Sequence, residues 1–272
     1  MGIFYKGKFK HLVLNGVVGF FFFVNCSLCA KEKSFVKNEE MGFSMENSDN
    51  LILTNTNGNI AVDSWGKDTA KIEIRKVVYA HSESEAETLY DKIEIIIKKE
   101  NYSIAITPRL SIEHAAVDLH IFLPRMIKIN LKLENENGEI KVQGLKGDME
   151  IFTSNGDIHC SKTTGEFKIY TDNGDIVLED ISGRISAISC NGDIQCAIET
   201  LYNNSISYFE STNGDIELTI PQSISPAIYV RSANGDINSD FPVFHSRKEF
   251  EDKNGIKISL KTNNGDVSIK RK

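Results

Sequence analysis

Six aspartates, Asp157, Asp175, Asp193, Asp215, Asp236 and Asp266, each stand third in an Asn-Gly-Asp tripeptide. Carboxylates repeated in this way admit three chemistries. Calcium would need six to eight oxygens at about 2.3–2.6 Å. Glycan cleavage would need two carboxyl groups facing each other across a groove, with their pKa values pushed apart. The third use is hydrogen bonding to the turn backbone itself. Equivalent turns single out no one Asp as acid or base, which argues against catalysis. Each turn supplies one Asp beside one Asn, without the Gly-Gly-x-Gly-x-Asp pattern of calcium-binding rolls. Turn capping is the reading favoured here, with calcium as the alternative.

Other catalytic arrangements are missing from the 272 residues. The histidines, His11, His81, His114, His120, His159 and His245, have no metal-ligand spacing. No Gly-x-Ser-x-Gly and no phosphate loop occurs. The expectation is a non-enzyme with no cofactor and no metal site. A net charge of −7 with no basic stripe excludes a nucleic-acid binder.

The elements that carry the aspartates are set by the repeat around them. Asn-Gly-Asp-Ile occurs at Asn155, Asn173, Asn191, Asn213 and Asn234, with variants at Asn57, Asn137 and Asn264. From Asn137 to Asn191 the step is 18 residues, then 22, 21 and 30. Columns align ahead of each Asn with period two, the mark of a strand with one buried face. Six before stand Leu51, Leu131, Met149, Phe167, Ile185, Ile228 and Ile258. Four before stand Leu53, Leu133, Ile151, Ile169, Ala187, Phe209, Val230 and Leu260. Two before, the column is small and polar: Asn55, Asn135, Thr153, Thr171, Ser189, Ser211, Ser232 and Thr262. Such a column needs partners in the turn or in the next rung. After the turn the alternation resumes with pairs such as Ile176 and Leu178, and glycines at Gly147, Gly165 and Gly183 punctuate again.

Asn-Gly is also a hairpin signal, and an antiparallel meander is the competing reading. A hairpin gives no reason for whole units to repeat in register; stacking in parallel does. The predicted fold is all-β: a single-stranded parallel β-helix or solenoid with rungs of about 18–22 residues, right-handed on the general crossover preference. At about 4.8 Å per strand, its rungs make a rod roughly 35–40 Å long.

A column three before the Asn points outward and holds Phe152, Tyr170 and Ile188, continuing into Glu210, Arg231 and Lys261. Stacked exposed aromatics form a possible interaction surface for a glycan or protein partner. The bland alternative is that the helix near Leu89 or another N-terminal segment covers them.

The N-terminus reads as an export signal: Lys6, Lys8, Lys10 and His11, then an apolar run from Leu12 to Val24, too short for a comfortable span. Phe23-Val24-Asn25-Cys26 resembles a relaxed bacterial lipobox, which would make Cys26 the lipidated first residue and the membrane a partner through that anchor. Cleavage after Leu28-Cys29-Ala30 is the alternative. The boundaries expected are 1–25 (or 1–30) for the signal, 31–50 for a flexible tether, and 51–272 for the solenoid. Within the solenoid, 51–125 should form the cap and first strands, and 126–272 the regular rungs with an insertion loop at 240–255. Cys160 and Cys196 share an inward column two rungs apart, beyond disulfide reach, while Cys190 points outward.

In the N-terminal third, Ser82 followed by Glu85 reads as a capping box, with Ala86, Leu89 and Ile93 on one face, so one short helix is expected in the cap. Strands should follow at about 93–98, 102–107, 117–123 and 127–133.

These residues together carry a resemblance. His120-Ile121-Phe122-Leu123-Pro124 leading into Ile127–Leu133, then Asn137-Gly138-Glu139-Ile140-Lys141-Val142 and the Asn-Gly-Asp-Ile series, resemble the bacterial putative-adhesin family, domain of unknown function 4097. The resemblance covers about Asn50 to Lys270. It implies an exported or membrane-associated parallel β-solenoid of the bacterial cell envelope, without demonstrated biochemistry. The functional expectation is a lipid-anchored, non-catalytic adhesin-like or structural module. A carbohydrate-active β-helix enzyme and a calcium-binding surface protein are the alternatives.

Overall fold

A computed structural model describes residues 32–251 and 255–272. The expected signal segment and Cys26 lie outside the described residues.

The described chain is an all-β solenoid. At each Asn-Gly the strand turns and crosses to a second ladder, so that most rungs supply one strand to each of two ladders. The turn asparagines register one on the next in the order Asn57, Asn137, Asn155, Asn173, Asn191, Asn213, Asn264, Asn234, every pairing parallel. The parallel stack excludes the meander. The inward columns form one continuous core, with Leu53, Leu133, Ala187, Leu260, Ile176 and Leu178 at most 1 % exposed.

The stacking order departs from chain order at both ends. At the start, a rung built of β6 (Ser103–Leu110) and β7 (Ala115–Pro124) lies outside the rung of β2 (Asn50–Asn57) and β3 (Ile60–Trp65). At the finish, β20 (Lys257–Asn264) and β21 (Val267–Arg271) insert between the Asn213 rung and the Asn234 rung. The 30-residue step to Asn264 is therefore the path of a chain that goes out, turns and comes back. The stretch expected as an insertion loop carries β19 (Val243–Phe244), which pairs beside Ile228 and Tyr229, and α2 (Arg247–Glu251), whose Phe250 is buried against Tyr229 with ring centroids 5.8 Å apart.

The N-terminal third supplies the other end. The helix α1 (Glu83–Tyr90) forms where the capping box stands: Ser82 Oγ accepts the Glu85 N–H at 3.2 Å, and the Glu85 carboxylate accepts the His81 N–H at 2.8 Å. Its buried residues are Ala86 and Tyr90, and it packs on β4 (Ala70–Ala80). The strand β5 (Ile93–Glu100) then pairs antiparallel with β6.

One expectation is corrected. Much of the stretch read as a tether, 31–50, is the strand β1 (Lys33–Phe43), antiparallel to β4 over all eleven of its residues. Its polar composition concealed it because its partners are charges rather than a hydrophobic face: Glu39 meets Lys76 at 2.9 Å, Glu40 meets Lys71 at 3.3 Å, and Lys37 reaches Glu87 of α1 at 3.2 Å. Phe35 and Phe43 contribute partly buried rings to the core edge.

Candidate interaction surface

Four columns of side chains flank each turn, and three of them are spent on neighbouring rungs. The Asn side chains form a ladder in which each amide Nδ2–H donates to the Oδ1 of the rung before it. The distances are 2.9 Å for Asn137 to Asn57, 3.0 Å for Asn155, Asn173 and Asn191, 2.9 Å for Asn213, 2.8 Å for Asn264 to Asn213, and 2.9 Å for Asn234 to Asn264. Amide ladders of this kind polarise along their length and hold strands in exact register. The inward hydroxyls donate to the glycine carbonyl of the adjacent rung: Thr171 to Gly156 at 3.2 Å, Ser189 to Gly174 at 3.0 Å, Thr262 to Gly214 at 3.0 Å.

The aspartates do the same from outside. Asp157 Oδ1 accepts the Asp175 N–H at 2.8 Å, Asp175 accepts from Asp193 at 2.8 Å, Asp193 from Asp215 at 2.7 Å, Asp215 from Asp266 at 2.7 Å and Asp266 from Asp236 at 2.8 Å. The sequence suggested a side chain satisfying its own turn; each instead caps the backbone of the next rung. One oxygen of each of these five carboxylates is committed to that bond. Among the described residues, no group of three or more His, Cys, Asp or Glu is placed to hold a metal ion.

Glycine at the turn is required by contact as well as by torsion. Gly174 has φ +157, and a Cβ there would lie 2.1 Å from the carbonyl oxygen of Gly156. The glycine column lets rungs approach within backbone distance at the corner, which is what brings the Asn and Asp side chains into bonding range.

The fourth column faces solvent. Strands β10 (Met149–Asn155), β12 (Thr164–Asn173) and β13 (Ile176–Asn191) place Phe152, Tyr170 and Ile188 side by side in register. The Phe152 and Tyr170 rings stack with centroids 5.4 Å apart and planes 4° from parallel. Phe152 is 38 % exposed, and Tyr170 and Ile188 are half-buried. The helix α1 packs on β4 and β1, at the N-terminal end, and does not cover them. Beyond Ile188 the column becomes the ion pair of Glu210 and Lys261.

Two residues of this surface were missed in the sequence, Asp172 and Cys190. The Tyr170 hydroxyl donates to Asp172 Oδ1 at 2.5 Å and lies 3.2 Å from Cys190 Sγ. The hydrogen bond to Asp172, then that to Cys190 and partial burial, hold the phenol well above its usual pKa. The tyrosine ring is thereby fixed in its stacked orientation. The signal was present, since Asp172 and Cys190 stand one before the turn Asn, again on the outer face.

A second aromatic cluster carried no sequence signal beyond the single Trp. On the outer face near the N-terminal end, Trp65 stacks on Phe122 at 5.2 Å, and His120 lies 4.0 Å from Phe122 with its Nε2 2.7 Å from Asp63 Oδ2. Lys67 and Lys71 sit over the Trp65 ring at 4.7 and 5.5 Å. These rings are occupied by the protein's own cations.

Cys160 and Cys196 are buried in one column with Leu178 between them, and burial pushes the Cys160 thiol up to about 12. They are apolar core residues in effect.

The model of the Toastrack DUF4097 family matches residues 32–270. The chain belongs to this family. Among solved structures it is similar to a "putative cell adhesion protein" from Clostridium sporogenes, at 17 % identity over 88 % of this chain and 100 % of that one, TM-score 0.43. It is also similar to a "putative adhesin" from Bacteroides fragilis, at 13 % identity over 87 % and 97 %, TM-score 0.44. A third is a "putative lipid binding protein" from Parabacteroides distasonis, at 9 % identity over 87 % and 96 %, TM-score 0.32. No curated protein matches.

Proposed function

We propose that this Toastrack protein is an exported, lipid-anchored module of the bacterial cell envelope that binds a partner without transforming it. The observation that carries the reading is the uncovered Phe152–Tyr170 stack, with Ile188 beside it and Asp172 holding the tyrosine. Flat apolar rings bordered by hydroxyl and carboxylate suit the apolar face of a sugar ring or an aromatic-rich protein patch. The commitment of the turn carboxylates to backbone N–H groups supports a non-catalytic role, because it leaves those acids alike rather than differentiated. The anchor rests on Phe23-Val24-Asn25-Cys26, with Cys26 as the acylated residue. Because β1 begins at Lys33, the described body would start only a few residues from the membrane anchor.

Two measurements test the reading separately. In detergent phase partition, the wild type should enter the detergent phase and Cys26→Ala should move to the aqueous phase while staying folded. A wild type found in the aqueous phase, with Lys31 as its mature N-terminus, ends the anchor. On an array of envelope glycans and in pull-down from envelope extracts, Phe152→Ala combined with Tyr170→Ala should lose at least tenfold in binding while the protein stays folded. Release of new reducing ends from any bound glycan would favour the β-helix enzyme instead.

A further inference from the structure

The strand β1 has one partnered and one free side. It pairs with β4 across eleven residues, and among the described residues no strand pairs with its other edge. Natural proteins usually shorten, bulge or cover an edge of this length. Large apolar side chains are exposed here as well: Val36 at 45 %, Met41 at 38 % and, on β4, Tyr79 at 48 %.

We propose that β1 pairs antiparallel with β1 of a second copy of this chain, about a two-fold axis at Asn38, joining two solenoids end to end. This goes beyond the binding role above and is independent of it.

The register follows from side-chain direction. Residues 35, 37, 39, 41 and 43 lie opposite Val78, Lys76, Ile74, Ile72 and Ala70, the inward side of β4, while 34, 36, 38, 40 and 42 face outward. Directly opposed residues of an antiparallel pair point to the same face, so a two-fold axis must fall on a residue. Placed at Lys37 it sets Lys37 against its own copy, and placed at Glu39 or Glu40 it sets carboxylate against carboxylate. Placed at Val36 it pairs only the first part of the strand. At Asn38 all eleven residues pair, Lys37 opposes Glu39 twice, and Phe35 opposes the exposed Met41. Within each copy Lys37 already meets Glu87 and Glu39 already meets Lys76. The paired strands would therefore carry an unbroken alternation of sign, Glu87, Lys37, Glu39 of the copy, Lys76 of the copy. Charges that guard an edge against other strands here select one register with their own kind.

The test uses the full chain, with Asn38→Cys and Val36→Cys compared after mild oxidation by mass spectrometry of non-reduced digests. Asn38→Cys should yield a disulfide joining the two position-38 peptides, since these face each other across the axis. Val36→Cys should not, since its opposite residue is Glu40. In sedimentation the wild type should dimerise, Lys37→Glu should weaken the dimer at least tenfold, and adding Glu39→Lys should restore it. Because Lys37→Glu also breaks the contact with Glu87 of α1 and Glu39→Lys that with Lys76, the cysteine pair stands as the check that needs no charge change. A monomeric wild type, no position-38 crosslink in Asn38→Cys, or equal crosslinking at 36 and 38 overturns the proposal.

Discussion

Ala187 lies in register against Phe209 on the inward face, one rung apart, and both are buried. The smallest side chain of the column meets the largest, so the local volume is shared between them. Phe209→Ala should cost about 3–5 kcal/mol and Ala187→Leu about 1–3 kcal/mol. The double variant should be less destabilised than the sum of the two, because the leucine fills part of the space. Strict additivity in chemical denaturation would show that the two do not share a cavity.

Ile169→Asp places an unpaired charge in that same column, a penalty of several kcal/mol. Lys168→Asp, one residue away and exposed, should shift the melting temperature little. Equal shifts would undo the assignment of faces.

Asp193 is in the middle of the carboxylate ladder and Asp236 is at its end, where among the described residues no further turn stacks on it. Asp193→Ala removes a hydrogen bond to a charged acceptor and should cost about 1.5–3 kcal/mol, whereas Asp193→Asn keeps an acceptor oxygen and should cost less. Asp236→Ala should be silent. A calcium-dependent melting temperature that Asp193→Asn abolishes would instead revive the metal reading.

Asn135 is buried with its amide donating to Gly58 O at 2.8 Å and Gly138 O at 3.1 Å, while its Oδ1 is without a partner. An orphaned buried acceptor costs about 1–3 kcal/mol. Asn135→Thr, which matches the rungs that follow, should leave stability unchanged or raise it. A clear loss in thermal melting would mean that the second amide bond outweighs the orphan.

Ending the chain at Glu251 removes the rung held between Asn213 and Asn234. Limited proteolysis should then cut residues 227–251 at least tenfold faster while the rungs from Asn137 to Asn191 stay resistant. Uniform protection would show that the Asn234 rung can close directly on the Asn213 rung.

Much of this fold is legible in the sequence, because a repeat states the same local physics many times. Leu53, Leu133 and Ile169 announce one face, and Gly174 one corner. What is illegible lies where the repeat meets something unlike itself. β1 is held by Lys76, Lys71 and α1, partners whose proximity no local pattern encodes. The insertion of Asn264 between Asn213 and Asn234 is equally hidden, since identical turns fit any neighbour and only the length of 240–256 hints at a return path. At the candidate surface, Phe152, Tyr170 and Ile188 were readable as a column and Asp172 as lying on the same face, but the hold of Asp172 on Tyr170 depends on rotamers that a shared face does not fix.

The place of the last rung bears on how the chain matures. Synthesis delivers residues from the N-terminus onward, and up to Asn213 each new rung finds a neighbour already made. The next segment, around Asn234, has its seat one position further out and must wait for a neighbour that is made after it. Until Lys257 to Arg271 arrive, the place between the Asn213 and Asn234 rungs is an open slot, and the two outermost rungs form together in one late step.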